Sequence, residues 1–168
     1  MPRVQFRAYL ASPLGFSESS RHYMDNVLVP ALEEVGVLVV NPWKLTTDAE
    51  FAAVSTMPEG AKKKRARADL YYSVGRRNRV AIDHCDVVIA FLDGQELDAG
   101  TVAEVGYAVG RNMTVYGIRT DLRQSGEHGA EWFNLQVEYF IEMSGGRMFK
   151  SLDEIKTFAR GVLKIFGE

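Results

Sequence analysis

Cys85 is the only cysteine in 168 residues, so no internal disulfide can form and the fold must be held by its core. That lone thiol, together with the lack of any signal-peptide pattern, leads us to expect a reducing cytoplasm. Histidine is equally scarce: His22, His84 and His128 do not gather with Cys85 into a metal-binding spacing. Neither HExxH nor CxxC occurs, and there is no glycine-rich phosphate loop of the GxxxxGK[ST] type. We therefore expect neither metal nor cofactor, and any chemistry must rest on carboxylates, amides and hydroxyls. No apolar run approaches the roughly 20 residues needed to cross a bilayer. Net charge is only −2, which gives no global field suited to wrapping nucleic acid. The one basic run, KKKRAR at 62–67, reads as a solvated helix face.

What remains is an ordinary globular composition, 46% apolar and 25% charged. The length fits one domain spanning residues 1–168, large enough to bury roughly two-thirds of its unfolded-chain surface. The first strand reads Val4 to Leu10 and runs into the loop ASPLGF. A helix follows from about Ser17, a fitting N-cap, with Tyr23, Met24, Val27, Leu28, Ala31, Leu32 and Val35 at helical spacing. Pro30 should kink or divide it, and Gly36 should end it before a short strand at Val37 to Val40. Residues 42 to 61 read as irregular. A proline-free helix covers about Lys62 to Cys85.

Asp86 to Leu92 (DVVIAFL) is apolar on both alternating faces, as expected of a central parallel strand covered by helices on both sides. A helix from about Gly100 to Gly110 and a strand from Thr114 to Ile118 come next. EWFNLQVEYFIEM is helical or irregular, and a fifth strand lies near Met148. The last helix opens on the capping pair Ser151 and Glu154, with Leu152, Ile155, Phe158, Ala159, Val162, Leu163 and Phe166 on its apolar face. Strands alternating with helices imply an α/β, doubly wound, flavodoxin-like five-stranded parallel sheet flanked by helices, in the order 2-1-3-4-5. Ligands in such sheets bind at the carboxyl ends of the strands, near the switch between strands one and three. That directs attention to the loops after Leu10 and Leu92.

The second of those loops is acidic: Asp93, Glu96 and Asp98 precede Glu104, four acids in twelve residues. On the helix, Val102, Val105 and Val109 share a face that should pack on the sheet. Glu104 lies off that stripe, with Gly100 and Ala108 one turn to either side. Those small residues leave room for a flat ligand against the carboxylate. Solvated loop acids explain the pattern equally well at this point.

AIDHCDVVIAFLDGQELDAGTVAEVGYAVGRNMTVYGIRTD resembles the core signature of the nucleoside 2-deoxyribosyltransferase family: an Asp-led apolar strand, an acidic loop, then G-T-x-x-E-[LV]-G-Y-A. YLASPLGF near the start and FNLQVEYFI near the end extend the resemblance in the family's order, while residues 42 to 75 match weakly. The resemblance implies a cofactor-free exchange of bases on 2′-deoxynucleosides. Small-molecule nucleosides and free nucleobases would be its partners, with no nucleic acid and no membrane.

By position, Glu104 resembles the nucleophile and Tyr9 the tyrosine that orients it. Asp98 matches the carboxylate that receives the sugar's 5′-hydroxyl. Asn134 resembles an asparagine lent by a neighbouring subunit, which implies a dimer-based homo-oligomer, up to a hexamer, with shared sites. The aromatics Trp132, Phe133, Tyr139 and Phe140 suit burial between subunits. Gln136 lies where some members have a further sugar- or base-side residue. Asn78 stands where the family has an aspartate near the base, and an amide cannot deliver a proton as a carboxylic acid does. Asp83 and Asp93 are the alternative acids. Trp43 either stacks on the base or packs under its loop. Asp121 reads as a loop cap, and Ser17, Ser19 and Ser20 as helix-start residues rather than a phosphate cradle.

Two rival functions fit the same residues. The nearer is hydrolysis of the N-glycosidic bond of nucleosides or nucleoside 5′-monophosphates, in relatives that tend to carry serine where this chain has Asp98. A carboxylate accepts a hydrogen bond from a 5′-hydroxyl but repels a phosphate dianion, which favours nucleosides here. The other is a non-catalytic nucleoside-binding module, which the fold alone would permit.

Overall fold

The computed structural model describes residues 6–126 and 133–166, with side chains to residue 163. Val4, His128 and Trp132, and the side chain of Phe166, lie outside the described residues. Five parallel strands form one sheet in the order β2-β1-β3-β4-β5, the order expected from the sequence: β1 (Phe6–Ala11), β2 (Val37–Val40), β3 (Val87–Phe91), β4 (Thr114–Ile118) and β5 (Met148–Phe149). The switch lies at β1, which pairs Ala8 with Val39 on one side and with Val87 on the other.

Strand alternation divides the core in two. Ala8, Leu10, Val87, Ile89 and Phe91 face the layer that includes Met24, Leu28, Leu32 and Ile155. Tyr9, Ala11, Val88, Ala90 and Leu92 face the other layer, with Ile82, Val105, Ala108, Val137 and Ile141. β3 is buried along its whole length, as its unbroken apolar run requires.

The first helix begins at Glu18, with the Ser17 side chain accepting from the Ser20 N–H at 3.2 Å. It passes from α1 (Glu18–Tyr23) through a π turn (Met24–Leu28) into α2 (Val29–Glu34). Pro30 was expected to kink or divide this helix, and the π turn directly before it is where the helix is divided. There the Val29 N–H reaches back five residues to the Met24 carbonyl, and the wider turn accommodates Pro30 at the start of α2. Val27, assigned to the apolar face, is exposed, whereas Met24, Leu28 and Leu32 are fully buried.

The segment expected to be irregular is not. α3 (Asp48–Ser55) occupies it, opened by a reciprocal capping box between Thr47 and Glu50. α4 (Ala61–Asp83) follows, and its basic start is not wholly solvated. Lys63 is buried, donating to the Ser55 carbonyl at 2.8 Å and to Glu59 at 2.6 Å. α5 (Ala99–Gly110), α6 (Leu135–Met143) and α7 (Leu152–Phe166) complete the layers. The α5 face on the sheet is Thr101, Val105, Ala108 and Val109, with Val102 only half-buried, so the stripe runs one step round from the valine set read in the sequence. Among the described residues no helix is long and apolar enough to cross a membrane.

Candidate active site

Because β1 alternates, Tyr9 projects into the layer that holds α4 and α5, where it is fully buried. Its hydroxyl donates to Glu104 Oε1 at 2.5 Å, joining residues 95 apart in sequence. Burial, with the Glu104 charge and hydrogen bond adding to it, pushes the Tyr9 phenol far above its ordinary range, so it remains a neutral donor. From α4, Asn78 Nδ2 approaches the same oxygen at 3.4 Å. Both contacts fall on Oε1, which leaves Oε2 as the oxygen able to attack a ligand. Asn78 Oδ1 is buried with no partner among the described residues, an acceptor that a ligand N–H could satisfy.

Burial pushes the Glu104 carboxyl up to about 7. The Tyr9 hydrogen bond opposes that rise, the Asp98 charge adds to it, and the Asn78 hydrogen bond again opposes it. A tyrosine hydroxyl and a nearby helix N-terminus both favour an ionised carboxylate. Tyr9 does act in that direction, but Glu104 lies more than a turn inside α5, beyond the reach of the terminal dipole. Desolvation wins.

Asp98 is the N-cap of α5, and its Oδ2 accepts from the Thr101 N–H at 2.8 Å and from Thr101 Oγ1 at 3.0 Å. Oδ1 has no bond to the protein among the described residues and is the oxygen that a hydroxyl could meet. At Gly100 a Cβ would stand 3.1 Å from Asp98 Oδ2, so a side chain there would press on the cap.

Other residues singled out in the sequence stand apart from Glu104. Asp93 accepts from the Thr120 backbone N–H and hydroxyl at 2.5 Å each and from the Asp121 N–H at 3.0 Å, tying the loop after β3 to the loop after β4. Asp83 lies among Tyr107, Arg79 and Arg111. The Tyr107 hydrogen bond and the two arginines hold its carboxyl below the ordinary range, so it is a poor proton donor. Asp121 accepts from Gly94 N–H at 3.2 Å and pairs with Arg123 at 2.5 Å, the loop-fixing role read for it.

Trp43 packs under the loop after β1. Its indole N–H donates to the Ser12 carbonyl at 3.0 Å, and a Cβ on Gly15 would stand 2.0 Å from its ring, so only glycine permits the approach. Phe16, which sequence reasoning passed over, rests edge-on against Trp43 with ring centroids 4.6 Å apart. It is 74% exposed at the ligand end of the sheet. Asn134 is the N-cap of α6, its Oδ1 accepting from the Gln136 and Val137 N–H groups at 3.1 and 3.3 Å. Asn134 and Gln136 are both exposed. The structure thus brings Tyr9, Asn78 and Glu104 into contact with Asp98 close by on the same helix, and leaves Trp43, Asp93, Asn134 and Gln136 at separate places around the strand ends.

The sequence matches the family model for nucleoside 2-deoxyribosyltransferase over residues 8–144. The chain belongs to the nucleoside 2-deoxyribosyltransferase family. That match spans β1 to α6 and so includes Tyr9, Asn78, Asp98 and Glu104. None of the curated protein sequences matches. Among solved structures, the 2-deoxyribosyltransferase of Bacillus psychrosaccharolyticus is similar at 16% identity and TM-score 0.61, covering 94% of this chain and 95% of its own. The 2-deoxyribosyltransferase of Leishmania mexicana gives 21% and 0.60, over 92% and 97%. A Clostridium botulinum CMP N-glycosidase gives 16% and 0.52, over 90% and 96%. At these identities the likeness is one of fold.

Proposed function

We propose that this family member transfers 2-deoxyribose between nucleobases, with Glu104 as nucleophile. The observation that carries the reading is the buried Tyr9–Glu104 pair at the carboxyl end of β1. Oε2 of the ionised carboxylate attacks C1′ of a deoxynucleoside. The C1′–N bond breaks, its electron pair leaves with the base, and an acyl-type ester joins C1′ to Glu104. A nitrogen of a second base then attacks C1′, its proton passing to solvent, and the C1′–O ester bond breaks to release the carboxylate. Two inversions give net retention.

Asn78 offers the departing base its free Oδ1 as an acceptor and holds no acidic proton. Asp83 is locked in its ion cluster, and the Asp93 carboxylate is taken up by loop hydrogen bonds. Solvent is therefore the proton source. Phe16, braced by Trp43, offers an aromatic face to the base. Incubation of deoxyinosine or thymidine with free adenine should yield deoxyadenosine; release of the base with no transfer would replace this reading with hydrolysis, and the absence of both would leave a binding module.

Asp98 bears on the choice between nucleoside and nucleotide. If its free oxygen accepts the 5′-hydroxyl, deoxyadenosine should be used far better than its 5′-monophosphate. Asp98→Ser is a clean test because serine caps a helix about as well as aspartate, so α5 keeps its N-cap. Loss of a hydrogen bond to a charged group costs roughly 1.5–3 kcal/mol, so nucleoside kcat/KM should fall about ten-fold or more. Discrimination against the monophosphate should shrink or invert. Unchanged selectivity in the variant would mark Asp98 as a helix cap alone.

We further propose a homo-oligomer in which Asn134 completes a neighbouring site. On α6, Leu135, Tyr139 and Met143 recur at intervals of four and are all exposed, an apolar stripe suited to a second copy. Asn134→Ala and Glu104→Gln, each inactive alone, should regain partial activity when mixed, since a mixed dimer contains one intact site. A fully active monomer by light scattering would refute the shared site.

A further inference from the structure

Arg119 follows β4 directly, is 1% exposed, and has no carboxylate partner among the described residues. A charge buried without an acid is costly unless its donors are otherwise met. Here the two terminal nitrogens are met by groups of two loops, chiefly backbone carbonyls, while the buried Nε has no hydrogen-bond partner among the described residues. Nη1 donates to the Leu92 carbonyl and, at 3.0 Å, to the Gly94 carbonyl, in the loop after β3. Nη2 donates to the Arg123 carbonyl at 3.0 Å and to Ser125 Oγ at 3.3 Å, in the loop after β4. The guanidinium also lies 5.7 Å from the ring centroid of buried Phe133, the residue before Asn134.

Above this fork the two loops hold each other reciprocally. Asp93 of the first accepts from Thr120 and Asp121, and Asp121 of the second accepts from the Gly94 N–H. Gly94 has φ +122, a conformation that side chains rarely adopt, so the turn carrying its carbonyl to Arg119 depends on glycine. Four residues beyond Gly94 the same loop ends at Asp98, the cap of α5.

We infer that Arg119 is a positioning residue that fixes the Asp98 loop and the Phe133–Asn134 turn to one another, so that the groups assigned to the sugar are held in register. This rests on the functional reading above, but the fixing of the loops does not. The planar fork matters: its two terminal nitrogens, fixed on one plane, reach two loops at once, which a lysine ammonium cannot do.

Arg119→Met and Arg119→Lys test it, with Asp93→Asn cutting the same brace from the surface should the buried variants fold poorly. Amide hydrogen exchange is the readout independent of activity. In any folded variant, the Thr101 N–H, bonded to Asp98, should exchange about ten-fold faster or more, while Leu10 and Ile89 in the sheet stay protected. Kinetically, kcat/KM for a deoxynucleoside should fall by up to about a hundred-fold, the scale of misplacing a reacting group by an ångström. The loss should lie chiefly in KM, with recovery in Arg119→Lys no more than partial. Unchanged Thr101 exchange would overturn the inference, as would a loss confined to kcat or full recovery in the lysine variant. A wild type inactive on nucleosides but showing the exchange response would sink the functional reading and leave the brace standing.

Discussion

Glu104→Gln should lose transferase turnover by at least about a thousand-fold, since removal of a covalent nucleophile ordinarily costs several orders of magnitude. The same variant should be more stable than the wild type at neutral pH and above. The carboxyl has an ordinary value of 4.5, and burial raises it to about 7 in the folded protein. Below pH 4.5 both folded and unfolded chains carry the proton. Between about 4.5 and 7 the unfolded chain releases it while the folded one retains it, so folding stability falls as pH rises through that window. Above about 7 the loss is complete. An amide of the same shape escapes it.

Allowing for the group's partial exposure, the gain is about 1–3 kcal/mol, a few degrees in Tm. It should vanish near pH 4. Thermal melts at pH 4 and pH 8, beside a turnover assay, measure both effects. A variant that keeps more than about a tenth of wild-type turnover would remove Glu104 from the nucleophile role. The pairing of lost activity with gained stability reflects a carboxylate held where folding alone would not place it.

Tyr9→Phe is the second large effect. It deletes the 2.5 Å hydrogen bond to Glu104 Oε1 without changing the ring that packs in the core. A hydrogen bond to a charged group is worth roughly 1.5–3 kcal/mol, so turnover at pH 7 should fall about ten- to a hundred-fold. That bond also pulls the Glu104 carboxyl down against its burial. Without it, the acidic limb of the pH–rate profile should move to higher pH, and part of the lost rate should return as pH is raised. Wild-type rate itself should rise with pH through about 7. A uniform loss with an unmoved limb would mean that Tyr9 merely fills space.

The sheet was legible because its signals are strong and local. DVVIAFL could only be a strand buried on both faces, and the loops flanking it followed from strand order. The Tyr9–Glu104 contact could not be read from periodicity, since it depends on β1 turning one alternate face to α5 across 95 residues of sequence; the resemblance supplied it. α3 was missed although its capping box, Thr47 to Glu50, was visible, because Asp48–Ser55 has no residue buried against a partner and so no apolar stripe. Lys63 was misjudged as solvated, and Arg119 was passed over, for a shared reason. Pattern reading sends long cations to the surface, whereas these two find backbone carbonyls inside. Arg119 directly after an apolar strand was the available clue, and its meaning lay in the carbonyls of loops distant in sequence.

A covalent deoxyribosyl–Glu104 ester can be seen by intact-protein mass spectrometry. A deoxynucleoside is mixed with the protein without acceptor base, the reaction is quenched in acid, and the modified peptide is mapped. The expected result is a mass gain of one deoxyribosyl unit on the peptide containing Glu104, absent in Glu104→Gln and discharged when adenine is added before the quench. Base exchange that proceeds with no sugar on Glu104, or with the sugar on another residue, would contradict it.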